Sequence, residues 1–245
     1  MTSSSEPRPA ESVGRPTAGN EDVNARYFDE WKGYQQLVES IDTYGLTSRA
    51  LAGELRGQVV DVGSGGVVNY SSDEITGLVL VDISTDYPNH VELPAHAVLK
   101  TGSAVSLPLA NGAHDCLLMQ MLVHHLAEGD FSTTRARSQA AFCEAFRVLK
   151  PGGKIVVIES TVHAALEFAE RISFPLTRRL LQLIGHPMVL QWTPARLCAF
   201  AREAGFTNIR ATHIPRGRWM IFLGRRWPTL LVPVTLYKVV ATKPA

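Results

Sequence analysis

Residues 59–72 read VVDVGSGGVVNYSS. Two valines lead into an aspartate, and Gly63, Gly65 and Gly66 follow closely. An apolar run that ends on clustered glycines predicts a strand buried on both faces. The glycines predict a loop that lets a ligand approach the backbone. The same texture recurs along the chain. Apolar runs at 58–63, 77–84, 96–102, 114–120, 154–160, 207–214 and 234–242 predict seven strands. Helical patterns at 132–149, 163–184 and 194–204 lie between them, the last with Pro194 at its start and Gly205 after its end. This alternation predicts an α/β fold with a doubly wound, Rossmann-like sheet.

In such a sheet ligands bind beyond the C-terminal ends of the strands, where the strand order reverses. The 59–72 loop follows the first strand and belongs there. Asp82 closes the second predicted strand, 19 residues after Gly63. A carboxylate at that point can accept hydrogen bonds from both ribose hydroxyls of a nucleoside. The dinucleotide fingerprint G-x-G-x-x-G fails, because Val68 stands where the third glycine belongs. Asp61, just before the loop, can orient loop amides or bind a cationic group, and it would repel a pyrophosphate.

The bulk numbers fit an ordinary globular chain. It has 245 residues, 45% hydrophobic and 19% charged, enough to bury a substantial core. No apolar run approaches the roughly 18 residues of a membrane span. The start, MTSSSEPRPAES, lacks the apolar stretch of a signal peptide. Cys116, Cys143 and Cys198 are widely spaced and odd in number, neither a metal pattern nor a disulfide framework, so a cytoplasmic location is expected. Residues 1–20 predict a disordered tail and 21–55 an N-terminal helical lid. Within that lid Tyr27, Trp31, Tyr34, Leu37 and Ile41 recur at three- and four-residue steps, with a break expected near Gly45 and Thr47. Residues 1–170 carry 12 Lys/Arg against 22 Asp/Glu, whereas 171–245 carry 12 against one acid, Glu203. Such asymmetry predicts a positive face from the last third.

DVGSGG (61–66) resembles the first motif of the class I S-adenosylmethionine-dependent methyltransferases, D/E-x-G-x-G-x-G. VDIS (81–84) resembles the acidic end of their second strand. TGSAVSLPLANGAHDCLLMQMLVHHL (101–126) resembles the stretch that runs through their fourth strand to L-H-H-L, and FRVLKPGGKIVVIES (146–160) their R-V-L-K-P-G-G segment. The resemblance covers about residues 55–245. It points to the small-molecule, ubiquinone/menaquinone-methyltransferase-like branch. It implies a methyltransferase domain over 56–245, with 161–192 as a cap insertion, and S-adenosyl-L-methionine as cofactor. By position it implies that Asp61, Gly63, Ser64 and Gly65 cradle the methionine part and that Asp82 holds the ribose, with Ile83 against the adenine. Ser103 and Ala104 border the adenine amine, and Met119 and Gln120 lie beside the sulfonium. Two departures stand out: Gly66-Val67 replaces a regular third glycine, and little room is left for the next helix. Asn69 and Tyr70 are therefore expected near the cofactor.

Methyl transfer is an in-line displacement in which the enzyme mainly positions the partners. A hydroxyl acceptor also needs a base, and histidine suits that task near neutral pH. His124 and His125 follow the fourth strand and are the candidates, which favours O-methylation. Tyr27 and Trp31 are lid candidates, and His186 and Trp192 substrate-contact candidates. Arg216 and Arg218 are candidates for meeting an anionic acceptor. The expected acceptor is a small, partly apolar molecule. No metal cluster is expected, and nucleic acid fits the acidic front half poorly. The stretch 218–234 leaves room for contact with a membrane interface, although Pro228 and Pro233 interrupt it. Two other readings remain: a cofactor-binding cyclase or non-methylating binding protein, and an NAD-dependent oxidoreductase on a similar sheet.

Overall fold

Seven runs of Val, Ile and Leu, each too short for a helix, gather into one sheet in the computed structural model. It describes residues 43–84, 93–183, 186–215, 217–222 and 225–245. Chain order is α1 (Thr43–Leu51), β1 (Gly57–Val62), β2 (Ile75–Asp82), β3 (Ala97–Thr101) and β4 (His114–Gln120). After a 3-10 turn (Val123–Leu126) come α2 (Phe131–Val148), β5 (Leu149–Thr161), α3 (Ala164–Leu183), α4 (Pro194–Glu203) and β6 (Thr207–Ile214). A hairpin of β7 (Trp219–Phe222) and β8 (Arg225–Pro228), a second 3-10 turn (Thr229–Leu231) and β9 (Thr235–Thr242) complete it. The sheet order is β3-β2-β1-β4-β5-β9-β6, with β9 antiparallel to both neighbours. The order reverses between β1 and β4, which places the ligand crevice at their C-terminal ends.

Alternation along the central strands divides the core in two. Val60, Val62, Leu117, Met119 and Val157 face one side, where they pack on Phe142 of α2, Phe174 of α3 and Phe200 of α4. Val59, Leu80, Leu118, Val156 and Ile158 face the other, where Leu51 of α1 and Tyr70 meet them. Helix α2 starts where it does because Asp130 caps it, its carboxylate accepting from the Thr133 N–H. Truncating a fully buried leucine such as Leu118 to alanine should cost about 2–5 kcal/mol.

Three expectations need correction. Gly45 and Thr47 do not split a helix; α1 runs through both. The Thr47 hydroxyl donates to the Tyr44 carbonyl at 3.0 Å, inside the helical turn. No helix follows the glycine loop anywhere in 63–74. The side chains there bond elsewhere: Asn69 to α1, Tyr70 to Asp61 and Ser71 to Asp73. The first two hold the loop to distant groups, and the local Ser71–Asp73 bond competes with a helical ladder. The basic and aromatic stretch at 219–228 forms an antiparallel hairpin, two strands beyond the seven expected. The tail, most of the lid, and with them Tyr27, Trp31 and Arg216, lie outside the described residues.

Candidate active site

The loop after β1 is built on left-handed glycines. Gly63, Gly65 and Gly66 have φ of 73°, 56° and 78°. A Cβ on Gly63 would sit 2.5 Å from Leu122 Cδ1, whereas one on Gly65 would meet nothing within 4 Å. Leu122 therefore closes over the start of the loop, and the loop opens at Gly65. The Gly65 N–H donates to Asp82 Oδ2 at 2.9 Å, which fastens the loop to the end of β2. The irregular spacing now has a reason: the third left-handed position is Gly66, and Val67 then turns back through its N–H to the Ser64 carbonyl.

Asp61 lies under this loop on the α1 side of the sheet, buried. Its Oδ2 accepts the Tyr70 hydroxyl at 2.7 Å, and its Oδ1 has no partner among the described residues. Burial pushes its carboxyl up to about 7; the Tyr70 hydrogen bond opposes this and the Asp82 charge adds to it. The Tyr70 hydroxyl is itself held well above its ordinary range, mainly by burial. Asn69 points away from the crevice. Its Nδ2 donates to the Tyr44 carbonyl and to Thr47 Oγ1 at 3.0 and 2.9 Å, tying the loop to α1.

At the end of β4, Gln120 is buried with Oε1 lacking a partner among the described residues. Met119 is wholly buried in the core beneath it. Met121 then adopts φ 54°, a left-handed conformation that costs a methionine about 1–2 kcal/mol. Its N–H donates to the Ile158 carbonyl at 2.7 Å, and the turned chain enters the 3-10 segment that carries both histidines. His124 Nδ1 lies 2.6 Å from Glu159 Oε1. The Glu159 carboxylate is fully buried and also accepts from the N–H groups of Val123 (2.7 Å) and Ser160 (2.8 Å). A carboxylate can only accept, so His124 Nδ1 donates and Nε2 is the atom able to take a proton. His125 stacks beside it, ring centroids 4.0 Å apart. Burial, with His124 and His186 adding to it, holds His125 well below the ordinary histidine range, so it stays neutral.

The segment after β5 walls this half. Glu170 of α3 accepts the Gln191 N–H at 3.1 Å, and burial pushes its carboxyl up to about 7. The Leu190 N–H donates to the His124 carbonyl at 3.0 Å. Trp192 is not a contact residue: it is wholly buried, with Nε1 donating to Ser138 Oγ and its ring edge against Phe200. His186 is half-buried, its Nδ1 2.8 Å from the Pro187 carbonyl. Ile83 and Ser103 are half-buried and Ala104 buried beside the end of β2. Arg218 is exposed on the hairpin, and its carbonyl accepts the Thr229 N–H. Sequence reasoning missed Glu159 and Glu170. Glu159 hides inside a strand run and Glu170 on an amphipathic helix.

Residues 60–157 match the family described as methyltransferase domain. That stretch holds the glycine loop, Asp82 and His124. The chain carries a methyltransferase domain over these residues. Solved structures with this fold include a putative methyltransferase of Haloferax volcanii, in complex with a methyltransferase activator. That structure is 16% identical, with 89% of this chain and 96% of that one covered, at TM-score 0.64. The [4+2]-cyclase SpnF is 15% identical over 95% of this chain and 100% of its own, TM-score 0.66. A Haemonchus contortus phosphoethanolamine N-methyltransferase, holding S-adenosylhomocysteine, is 14% identical over 94% of this chain and 62% of its own, TM-score 0.63. No curated protein matches the chain.

The residues fit the methyltransferase cofactor. The unpartnered Asp61 Oδ1 suits an ammonium group, and the space above Gly65 suits a ligand lying on the loop. With no helix after the loop, there is no helix N-terminus for a pyrophosphate. Among the described residues no cluster of His, Cys, Asp or Glu could hold a metal ion, and no helix is long and apolar enough to cross a membrane.

Proposed function

We propose that this methyltransferase transfers a methyl group to an oxygen of a small, partly apolar acceptor. The observation that carries this reading is the buried His124–Glu159 pair at the ends of β4 and β5, beside the glycine loop. When bound, S-adenosylmethionine supplies an electrophilic methyl group on a sulfonium that leaves as a neutral thioether. Asp61, Ser64 and Gly65 hold its methionine part, and Asp82, Ile83, Ser103 and Ala104 its nucleoside. His124 Nε2 takes the acceptor's hydroxyl proton as the new O–C bond forms, and Glu159 holds the ring in the tautomer that allows this. Neutral His125 and Gln120 shape the pocket between cofactor and acceptor. The surplus of arginine after residue 170 favours an acceptor that also bears a negative group, for which Arg216 and Arg218 are the candidate partners.

The test follows a labelled methyl group into a panel of phenols and hydroxy acids. Label should appear in an ether or ester oxygen, and H124A should stop it without loss of cofactor binding. Label on nitrogen or carbon would overturn the oxygen reading. A product formed with no label would favour a cyclase.

A further inference from the structure

Helix α3 is mounted with its apolar side outward. Phe168, Ile172, Leu176 and Leu180 recur every four residues, a face that turns only about 40° per step. With Leu183 they are exposed, from 55% at Leu180 to 78% at Leu183. The inner face carries both acids and Arg178. Glu167 accepts the Thr193 N–H at 2.9 Å, Glu170 that of Gln191, and Arg178 donates to the Gly129 carbonyl at 2.6 Å. The exposed positions of α3 hold no acid, only Ala, Phe, Ile, Leu, Ser, Pro, Gln and the arginines Arg171 and Arg179.

A second apolar and basic surface lies at the same end of the sheet. Between Ile214, which ends β6, and Thr235, which begins β9, the chain exposes Arg225, Arg226, Trp227, Leu230 and Leu231. Leu230 is 94% exposed. Thr235 pairs with Thr161, the last residue of β5, and Val232 and Val234 share a core with Leu166 at the foot of α3. The tip and the foot of α3 therefore flank the end of β5, two residues beyond Glu159. That end is also where Leu190 bonds His124.

We infer that the outer face of α3 and the Arg225–Leu231 tip together dock on an anionic lipid bilayer. Charge selects the occupant. The exposed positions of the two surfaces hold Arg171, Arg179, Arg225 and Arg226 and no acid. A second copy meeting this surface by two-fold symmetry would set like charges against each other. An acidic bilayer offers hydrocarbon for the leucines and phosphate for the arginines. Helix α3, whose outer face docks, walls the His124 half of the site with its inner face through Glu170, so an amphiphilic acceptor would enter beside the bilayer. That consequence rests on the acceptor reading; the docking itself does not.

The test is flotation of the full chain with vesicles of phosphatidylcholine containing roughly one-third phosphatidylglycerol, and with pure phosphatidylcholine. The chain should float with the acidic vesicles, at least about tenfold more tightly than with neutral ones, and release as salt rises. L176D/L180D should abolish flotation and keep the thermal shift given by S-adenosylhomocysteine; R225E/R226E should weaken flotation about tenfold or more. A parent chain that stays unbound on acidic vesicles overturns the inference. So does an L176D/L180D variant that floats like the parent, or a parent dimer that this substitution makes monomeric. No turnover enters the assay, so failure of the methyl-acceptor reading would leave its outcome unchanged.

Discussion

The two faces of the sheet carry the two halves of the site, and they are built differently. On the α1 side, Asp61 lies under an irregular loop with one hydrogen-bond partner among the described residues, and its carboxyl is pushed up to about 7. On the other side, three helices pack behind Glu159, which holds His124 and the N–H groups of Val123 and Ser160. Both carboxylates are buried. The difference teaches that burial alone does not fix a role. A carboxylate with spare accepting capacity is ready for a cationic ligand, whereas one already saturated by the fold is a support for its neighbour.

The sharpest way to break the contrast is E159A. It strips five described hydrogen bonds from the Glu159 carboxylate and leaves their donors buried. Denaturant unfolding should show a loss of about 3–5 kcal/mol. E159Q keeps the shape and should spare more stability while slowing turnover. H124A should lower turnover about 10²- to 10⁴-fold, with cofactor affinity held, in a single-turnover assay. A matching fall in affinity would join the two halves that the geometry keeps apart.

Asp61 gives a pH signature. Its carboxyl rises from an ordinary 3.8 to about 7 on folding, so the folded chain binds the extra proton between these values. Stability from this group is therefore present in acid and is lost as pH rises from about 4 to 7, on the order of 4 kcal/mol in all. Unfolding curves for D61N should lack that slope; an identical slope in parent and variant would mean Asp61 is ionised throughout. Y70F removes the hydrogen bond that the Tyr70 hydroxyl gives that carboxylate and should cost about 1–3 kcal/mol at pH 8, less at pH 5 where the acid is neutral. The smallest effect expected is N69A, about 1 kcal/mol, with cofactor affinity nearly unchanged because Asn69 faces α1.

Much of the fold could be read from local pattern. The strands at 114–120 and 207–214 and helix α4 begin where the apolar runs and the Thr193–Pro194 cap place them. The glycine loop, Asp82 and the histidine pair were legible because their residue types are unusual at those points. Glu159 was not, since its role depends on a partner 35 positions away and its own run reads as plain strand. The loop at 63–74 misled for a different reason: side-chain hydrogen bonds to distant groups displaced a helix. Helix α3 shows a third limit. Periodicity reports that a helix has an apolar face, but not which way that face points.

The helix-free link between β1 and β2 has a further consequence for measurement. Twelve residues cross from one parallel strand to the next, near the least such a crossover takes, and few of their amides sit in a regular ladder. Those amides should exchange their hydrogens quickly in the empty protein. A ligand laid on Gly65 would slow them first. Deuterium uptake at 63–74 thus becomes a built-in gauge of cofactor occupancy, readable before any acceptor is known.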